Sequence, residues 1–278
     1  MAKNWSFLNK MGSRLSPVVE LGALTARFLQ TTSLICDLKM YNYFINFFKQ
    51  DKGGAGEALS FVEIPSSQTA FYSIFWIHGF GADGHDVDNI APELELNKRD
   101  HIRFISPNAP VREMMTSGER RVTMRSWYDI SEIVLNARAD YKGIDQSARS
   151  INQLIDQEIA AGISSENILL MGISQGGCIA LHTGLCYPKR LGGIVALSTY
   201  LSTADVLAKK ASAANADIPI FMAHGTEDTS VAIESGKAAF NVLQERYYPV
   251  QWHEYPIGHR TCGKEIEDVS SFINQILC

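Results

Sequence analysis

Residues 168–177 read ILLMGISQGG, an apolar run that leads directly into the pattern Gly-x-Ser-x-Gly. A short buried strand before this pattern, and a helix after it that the small residues of 177–185 predict, form the context of a nucleophile elbow. The turn of such an elbow is too tight for side chains at its flanks, which explains Gly172 and Gly176. The strain pushes the hydroxyl of Ser174 clear of the sheet, where a histidine can reach it. The alternative, which this context disfavours, is a loop serine in an ordinary glycine-rich turn.

A hydroxyl group is a weak nucleophile, so Ser174 requires a base, and the base requires an acid that orients it. On a sheet with this elbow the three residues follow in the order serine, acid, histidine. The chain has a predicted strand at 218–223 followed by Asp228, and a strand-like stretch at 250–255 followed by His259. Each lies past the carboxyl end of a strand, at the edge where α/β proteins build their sites. The sequence therefore predicts Ser174, Asp228 and His259 as the catalytic residues.

Other candidate acids and bases lie close to these residues in the sequence. Glu227 is the alternative acid, but the shorter side chain of Asp228 holds an imidazole more rigidly. His224 is predicted to brace its loop, and His253, within a strand, to face solvent or a helix. The sequence contains neither H-E-x-x-H nor C-x-x-C, so it predicts no metal site and no cofactor.

The tetrahedral intermediate of acyl transfer carries an oxyanion, which requires N–H donors that are fixed in advance. One donor is the backbone N–H of the residue after the nucleophile, Gln175. The other is expected from the loop after an early strand, and residues 78–84, HGFGADG, follow the predicted strand 72–77. The glycines let this loop bend so that the N–H of Phe80 points at the substrate. Phe80 and Gln175 are therefore the predicted oxyanion hole.

Six motifs, in order over about four-fifths of the chain, resemble those of a known family. They are HGFGADG (78–84), PNAP (107–110), SWYDI (126–130), GISQGG (172–177), His224-Gly225 with Asp228, and Gly258-His259. From about Glu57 to the C-terminus the chain is similar to the carboxylesterase/acyl-protein thioesterase family of α/β-hydrolases, also called the phospholipase/carboxylesterase family. The bacterial carboxylesterase branch is the most similar, through residues 127–129 and 196–201.

The resemblance implies an α/β-hydrolase fold and a serine carboxylesterase or thioesterase that forms an acyl-enzyme. It implies Ser174, Asp228 and His259 as the triad, with Phe80 and Gln175 as oxyanion donors. The implied substrates are small esters, lysophospholipids or acylated proteins. A lysophospholipase that acts at membranes is one alternative. A non-catalytic binding protein of the same fold is another, but such a protein would normally have lost one of the triad residues.

The long connection between the predicted strand 102–105 and the predicted helix 144–161 reads as irregular. In the family its segment 111–125 helps to shape the acyl pocket, and here that segment is polar and charged, which leaves the acyl preference open. A connection of this length is usually functional, and flexible methionines in it predict a partial wall over the acyl site. The alternative is a surface excursion with its own small cluster of apolar side chains. The predicted substrate-binding residues are Met124, Trp127 and Leu201.

The length of 278 residues and a hydrophobic content of 46% allow one large domain and an appendage. From residue 58 apolar strands alternate with helical stretches, which predicts a mainly parallel sheet with helices on both faces. Helix 144–161 has Gly162 as its C-cap, and the last helix places apolar residues of 266–276 on one face. A net charge of −5 without a basic stripe argues against a nucleic-acid partner. Five cysteines without a disulfide spacing favour the cytoplasm over secretion.

Residues 1–57 form an extension that is predicted to be helical and joined to the catalytic domain, 58–278, by the glycine-rich stretch 53–56. Three interpretations stay open. The extension is an arm that packs on the catalytic domain or on a partner subunit in a homodimer, or it is an interfacial helix that makes peripheral membrane contact through residues 15–48. In the third interpretation Met40 is the natural start, and the sequence before it lies outside the functional protein. It lacks an uncharged apolar run of the roughly 18 residues that span a bilayer, and a signal peptide is not expected.

Overall fold

The structure, a computed structural model, describes residues 59–115, 121–130 and 139–277. The predicted extension of residues 1–57 and the domain boundary after it lie outside these residues. Within the described chain the strands are β1 (Phe61–Ile64), β2 (Tyr72–Ile77), β3 (Ile102–Pro107), β4 (Val111–Met115), β5 (Arg121–Arg125), β6 (Ile168–Ile173), β7 (Gly193–Leu197), β8 (Ile220–Gly225) and β9 (Val250–Tyr255).

The helices of the described residues alternate with the strands, as the sequence predicts. They are α1 (Val87–Ile90), α2 (Tyr141–Ala160), α3 (Gln175–Cys186), α4 (Leu207–Lys210), α5 (Ile233–Glu245) and α6 (Gly263–Ile276). Short 3₁₀ turns lie at Gly84–Asp86, Arg99–His101, Ser165–Asn167 and Ala213–Asn215. In this part of the chain, a helix long and apolar enough to cross a bilayer is absent.

Seven of the strands form one sheet, in the order β1-β3-β2-β6-β7-β8-β9. Only β1, which pairs antiparallel with β3, departs from a parallel arrangement among these strands. The predicted mainly parallel sheet is therefore confirmed. The spatial order reverses between β2 and β6, and ligands of open α/β sheets bind at such a switch point, outside the carboxyl ends of the strands.

Apolar side chains fill the space on both faces of the sheet. Along β2, Phe75 and Ile77 pack in the cluster that includes residues of α2, α3 and α5. The alternating residues Ile74 and Trp76 pack in the opposite cluster, with residues of α1 and α6. Because helices cover both faces, β2, β7 and β8 are buried along their whole length.

The helix predicted at 144–161 begins three residues earlier, at Tyr141. Its start is fixed by Asp140, whose carboxylate accepts a hydrogen bond from the backbone N–H of Gly143 at 2.8 Å. Its end is followed by Gly162 with φ of +104°, the left-handed conformation that glycine adopts at low cost. The C-cap itself is Ala161, so the predicted C-cap at Gly162 is wrong by one residue, and the glycine supplies the left-handed residue just after the cap.

The connection that the sequence reads as irregular contains a hairpin. Strands β4 and β5 pair antiparallel, with Val111 opposite Arg125 and Met115 opposite Arg121. The carbonyl of Arg125 accepts the N–H of Gly81 at 2.9 Å, which anchors the hairpin on the loop after β2. The prediction of an irregular segment is wrong for these strands. Among the described residues the two strands pair only with each other, in a two-stranded sheet, so their sequences do not need the apolar run of a buried strand.

Candidate active site

Ser174 lies between β6 and α3 with φ of +56° and ψ of −124°. Such a conformation costs a non-glycine residue roughly 1–3 kcal/mol and persists only where the surroundings enforce it. The backbone N–H of Ser174 donates to the carbonyl of Leu197 at 2.9 Å. The turn also passes so close to β2 that a Cβ on Gly176 would lie 2.0 Å from the carbonyl oxygen of Ile77. The geometry is that of the strained elbow that the sequence predicts.

The side chains of Asp228 and His259 are hydrogen-bonded, with Nδ1 of His259 2.6 Å from Oδ2 of Asp228. The other carboxylate oxygen of Asp228 accepts the backbone N–H groups of Ser230 at 2.8 Å and Val231 at 2.9 Å. Burial alone would raise the pKa of Asp228. The Val231 N–H, the bond to His259 and the Ser230 N–H outweigh burial and hold this pKa below its usual value. Asp228 therefore stays ionised and fixes the orientation of His259.

Backbone contacts hold the loop after β8 against the turn after β9. The N–H of Thr226 donates to the carbonyl of Tyr255 at 2.8 Å, and the N–H of Glu227 donates to the carbonyl of Ile257 at 3.0 Å. A Cβ on Gly225 would lie 2.2 Å from the Ile257 oxygen, so only glycine permits this approach. The acid and the histidine are thus carried by two segments that cannot separate easily.

The rival residues lie elsewhere or have other partners. Glu227 is exposed to solvent. His224 has a fully buried side chain, and its Nε2 lies 2.9 Å from the carbonyl of Val231 and 3.5 Å from Oδ2 of Asp228. It braces the loop, as its sequence position predicts. His253 stacks on Phe221, with 4.5 Å between the ring centres.

The loop after β2 lies against the elbow, and the place that a Cβ on Gly79 would occupy is 3.5 Å from Cβ of Ser174. The next residue but one, Gly81, donates its N–H to the hairpin. Among the described residues, the backbone N–H groups of Phe80 and Gln175 donate to no carbonyl oxygen. Two N–H donors beside the nucleophile are therefore unoccupied, which is what an oxyanion hole requires.

The side chain of His78 stabilises this loop through hydrogen bonds to two backbone groups. Its Nδ1 lies 2.7 Å from the carbonyl of Gly79, and its Nε2 accepts the N–H of Ala109 at 3.0 Å. Burial lowers the pKa of His78 to about 4, so the imidazole stays neutral above that pH. A carbonyl can only accept and an N–H can only donate, so these partners require the proton on Nδ1.

Residues 58–277 match the model of the family described as Phospholipase/Carboxylesterase. The chain belongs to this family. The acyl-protein thioesterase 1 of Yarrowia lipolytica is 33% identical over 219 residues, 77% of this chain and 96% of that protein. The carboxylesterase SOBER1 of Arabidopsis thaliana is 30% identical over 207 residues, 73% of this chain and 90% of that protein. The crystal structure of SOBER1 has a TM-score of 0.69 with 30% identity and covers 74% of this chain and 99% of that chain.

As a member of the phospholipase/carboxylesterase family, the protein is a hydrolase of carboxylic ester or thioester bonds. The predicted α/β-hydrolase fold is confirmed by the sheet described above and by its likeness to the SOBER1 structure.

The side chain of Gln175 has a structural role that the sequence did not reveal. It is 1% exposed, and its amide oxygen accepts the N–H of Trp127 at 2.9 Å. Its amide nitrogen donates to the carbonyl of Tyr128 at 2.9 Å and to the hydroxyl of Ser126 at 3.0 Å. The first residue of α3 therefore holds the segment that follows the hairpin. The sequence signal for this role was a residue with a long amide side chain, Gln175, at a position inside a tight turn.

Trp127 is predicted to bind substrate, and the structure places its side chain in the core, where it is fully buried and has no solvent-exposed surface. The indole N–H donates to the carbonyl of His78 at 2.9 Å, and the two rings lie 5.2 Å apart. Trp127 therefore supports the loop that carries Phe80 from within the core.

The other two predicted pocket residues lie in different surroundings. Met124, on β5, is partly exposed, and its sulfur is 3.7 Å from the place that a Cβ on Gly81 would occupy. Met124 is thus beside the loop with the free N–H of Phe80. Leu201 is 8% exposed and packs with the core cluster that includes residues of α2 and α3. For Met114 and Met115, at the end of β4, the structure describes the backbone and not the side chains.

Proposed function

We propose that Ser174, His259 and Asp228 form the catalytic triad with which this family member hydrolyses esters and thioesters. The observation that carries the proposal is the 2.6 Å bond between His259 and Asp228. These residues follow β9 and β8, and the strained Ser174 follows β6, so all three are carried at the carboxyl edge of one sheet.

In the proposed reaction, Oγ of Ser174 attacks the carbonyl carbon of the substrate while Nε2 of His259 takes the hydroxyl proton. The tetrahedral intermediate collapses when the bond to the leaving alcohol or thiol breaks, and His259 gives the proton to that group. Water then attacks the acyl-enzyme with the same histidine as base, which regenerates Ser174. Asp228 keeps its charge throughout and stabilises the imidazolium in both halves.

The backbone N–H groups of Phe80 and Gln175 are the proposed oxyanion donors. Neither N–H donates to a backbone carbonyl among the described residues, which supports this role, because a backbone N–H without a protein acceptor is free to bond a substrate oxygen. Gln175 begins α3, and the first N–H groups of a helix point outward with a partial positive charge. A developing oxyanion between the two donors would therefore be stabilised without rearrangement of the backbone.

The proposed substrates are esters and thioesters of modest size, with the acyl group beside Met124. The named relatives, an acyl-protein thioesterase and a carboxylesterase, support both leaving groups. A flexible thioether beside the oxyanion loop supports tolerance of varied acyl chains.

Residues 1–57 are proposed to be dispensable for the chemistry. The family match begins at residue 58, which supports this division of the chain. A protein that starts at Met40 should hydrolyse short soluble esters at a near-parental rate. Loss of turnover in a folded truncated protein would contradict the division. Membrane contact through residues 15–48 predicts that only the full chain sediments with anionic vesicles, whereas a packing arm or homodimer contact predicts a change in oligomeric size.

A chain-length series of p-nitrophenyl esters, measured beside one acyl-thioester, tests the proposed activity. The parent should hydrolyse both classes without added metal, and Ser174→Ala should lose turnover on the order of a millionfold, as in other serine triads. The variant removes one hydroxyl and should keep the fold, which circular dichroism checks. Hydrolysis of neither class by the folded parent would contradict the proposal.

A further inference from the structure

The carbonyl of Ser174 has a partner that the mechanism above does not use. The hydroxyl of Thr199 donates to this carbonyl oxygen at 2.6 Å. Thr199 follows β7 and is 1% exposed. The same segment supplies the carbonyl of Leu197 that accepts the N–H of Ser174. Both backbone polar groups of the proposed nucleophile are therefore bonded to the end of β7.

The direction of the Thr199 bond follows from its distances. A hydroxyl has one proton, and the only other acceptor recorded for it among the described residues, the carbonyl of Tyr200, is 3.4 Å away. A distance of 2.6 Å is short for a hydrogen bond between a hydroxyl and a carbonyl, and 3.4 Å lies beyond the usual range. The hydroxyl proton of Thr199 therefore points at the carbonyl oxygen of Ser174, which accepts it.

The bonded carbonyl and the Gln175 N–H belong to the same planar peptide group, because the carbonyl of one residue and the N–H of the next share a resonant unit. A hydrogen bond to the carbonyl oxygen polarises this unit and strengthens its N–H as a donor, by about 10–30% for each bond in condensed-phase estimates. The backbone N–H of Cys178 also donates to this oxygen, at 3.2 Å, as the first bond of α3. Thr199 adds a shorter bond to the same oxygen.

We propose that Thr199 is a positioning residue for hydrolysis: its hydroxyl fixes and polarises the Ser174–Gln175 peptide group, so that the Gln175 N–H is aimed at the oxyanion. This inference rests on the proposed function, because it assigns a task to the Gln175 donor. Thr199 acts through the peptide group and does not contact the substrate.

The two branches of the Thr199 side chain have separable tasks. The side chain packs against the start of α3, where a Cβ on Gly177 would lie 2.7 Å from Cβ of Thr199. Valine keeps this shape and removes the hydroxyl, whereas serine keeps the hydroxyl and removes a methyl group. A role in packing alone predicts damage from serine, and a role in the oxyanion hole predicts damage from valine.

A matched control lies on α3 itself. Thr183 is 1% exposed, and its hydroxyl has no hydrogen-bond partner within the described residues. Thr183→Val makes the same chemical change at a buried position of α3 without removing a hydrogen bond. Removal of an unpaired buried hydroxyl is expected to be neutral or stabilising.

The test compares kcat, KM and melting temperature for Thr199→Val, Thr199→Ser and Thr183→Val with a short p-nitrophenyl ester. Thr199→Val should lower kcat about 5- to 20-fold with KM within about twofold, a part of the 10²–10³-fold cost of removing a whole oxyanion donor. A trifluoromethyl ketone, which mimics the tetrahedral intermediate, should bind more weakly by the same factor as kcat/KM falls. Thr199→Ser should keep kcat within about twofold and lower the melting temperature through lost packing. Thr183→Val should keep the parental kcat.

The assignment is overturned if Thr199→Val keeps the parental kcat, if serine costs as much kcat as valine, or if Thr183→Val shows the same loss. Should Thr199→Val fail to fold, Thr199→Ser and Thr199→Ala differ only by the hydroxyl and give the same comparison. A fluorophosphonate should label Ser174 in the parent and in every variant. A folded parent that neither turns over esters nor is labelled overturns the proposed function, and the role of Thr199 with it. Labelling with an unchanged kcat in Thr199→Val overturns only the role of Thr199.

Discussion

The loop after β8 and the first turn of α6 each carry a carboxylate side chain that is almost inaccessible to solvent. The surroundings of these two carboxylates are opposite. The side chain of Asp228 is fully buried and bonded to three N–H donors, and its pKa lies below the usual value. Glu265 is 1% exposed, and neither of its carboxylate oxygens has a hydrogen-bond partner in the part of the chain that is described. Burial raises the pKa of Glu265 to about 7, and the Cys262 N–H, which does not reach hydrogen-bonding geometry with either oxygen, opposes this only weakly.

The difference teaches that burial does not by itself decide the charge of a carboxylate. Burial disfavours the charged form in both cases, and only donors aimed at the oxygens reverse this effect. Asp228 is therefore a fixed negative charge beside His259, whereas Glu265 holds its proton up to about pH 7. A buried polar group that has hydrogen-bond partners contributes to the folded structure. A buried polar group without partners either lowers the stability of the fold or is reserved for a ligand.

The partnered carboxylate gives the largest expected effect. Asp228→Asn should lower kcat about 10⁴-fold, because a neutral amide stabilises the wrong tautomer of His259 and no longer balances its charge. Glu227→Gln, at the exposed neighbouring position, should cost less than about tenfold, as surface substitutions away from the chemistry do. Steady-state kinetics of the two variants make the comparison. The reverse order of effects would make Glu227 the acid.

An unpaired backbone donor extends the comparison to the loop after β2. Phe80→Pro removes an N–H that has no acceptor in the described chain, and it should lower kcat about 10²–10³-fold through the lost oxyanion bond. Phe80→Leu keeps the N–H and should retain most of the turnover. Circular dichroism checks that both variants fold. Normal turnover in a folded proline variant would move the donor to another residue of the loop.

The unpartnered carboxylate should appear in the pH dependence of stability. The folded pKa of Glu265, about 7, lies above the ordinary 4.5, so the unfolded chain loses this proton first as pH rises. The contribution of protonated Glu265 to the free energy of unfolding is fully present below about pH 4.5, and it falls by up to about 3 kcal/mol by pH 7. Glu265→Gln should remove this fall, which urea unfolding at pH 5 and pH 8 measures. Equal pH slopes in parent and variant would show that Glu265 has a donor or ready access to water.

The amino edge of the same sheet should give the smallest effect. There Arg190 and Asp217 form an ion pair beside a cavity of about 990 Å³, and Asp217 is 83% exposed. Arg190→Ala should change the free energy of unfolding by about 0–1 kcal/mol, as exposed ion pairs do, and leave kcat unchanged. A large loss of activity would mean that this cavity takes part in the function. The size of the cavity would then have indicated the functional site better than the sequence motifs did.

The fold and the proposed triad were accessible from the sequence because their signals are local. A glycine-flanked serine after an apolar run and a histidine after a strand each identify a strand end, and parallel strands bring such ends together. The hairpin was missed because a two-stranded sheet outside the core does not need apolar alternation. The burial of Trp127 and the bonds of Gln175 and Thr199 depend on segments far apart in the chain, which local patterns do not reveal.

Labelling with a fluorophosphonate, followed by mass spectrometry of the modified peptide, tests the central claim most directly. The reagent forms a covalent bond only with a serine whose hydroxyl is activated by a neighbouring base. The account predicts one modified residue, Ser174, with no labelling of Ser174→Ala and much slower labelling of folded Asp228→Asn. Modification of a different serine, or equal labelling of the parent and Ser174→Ala, would contradict it.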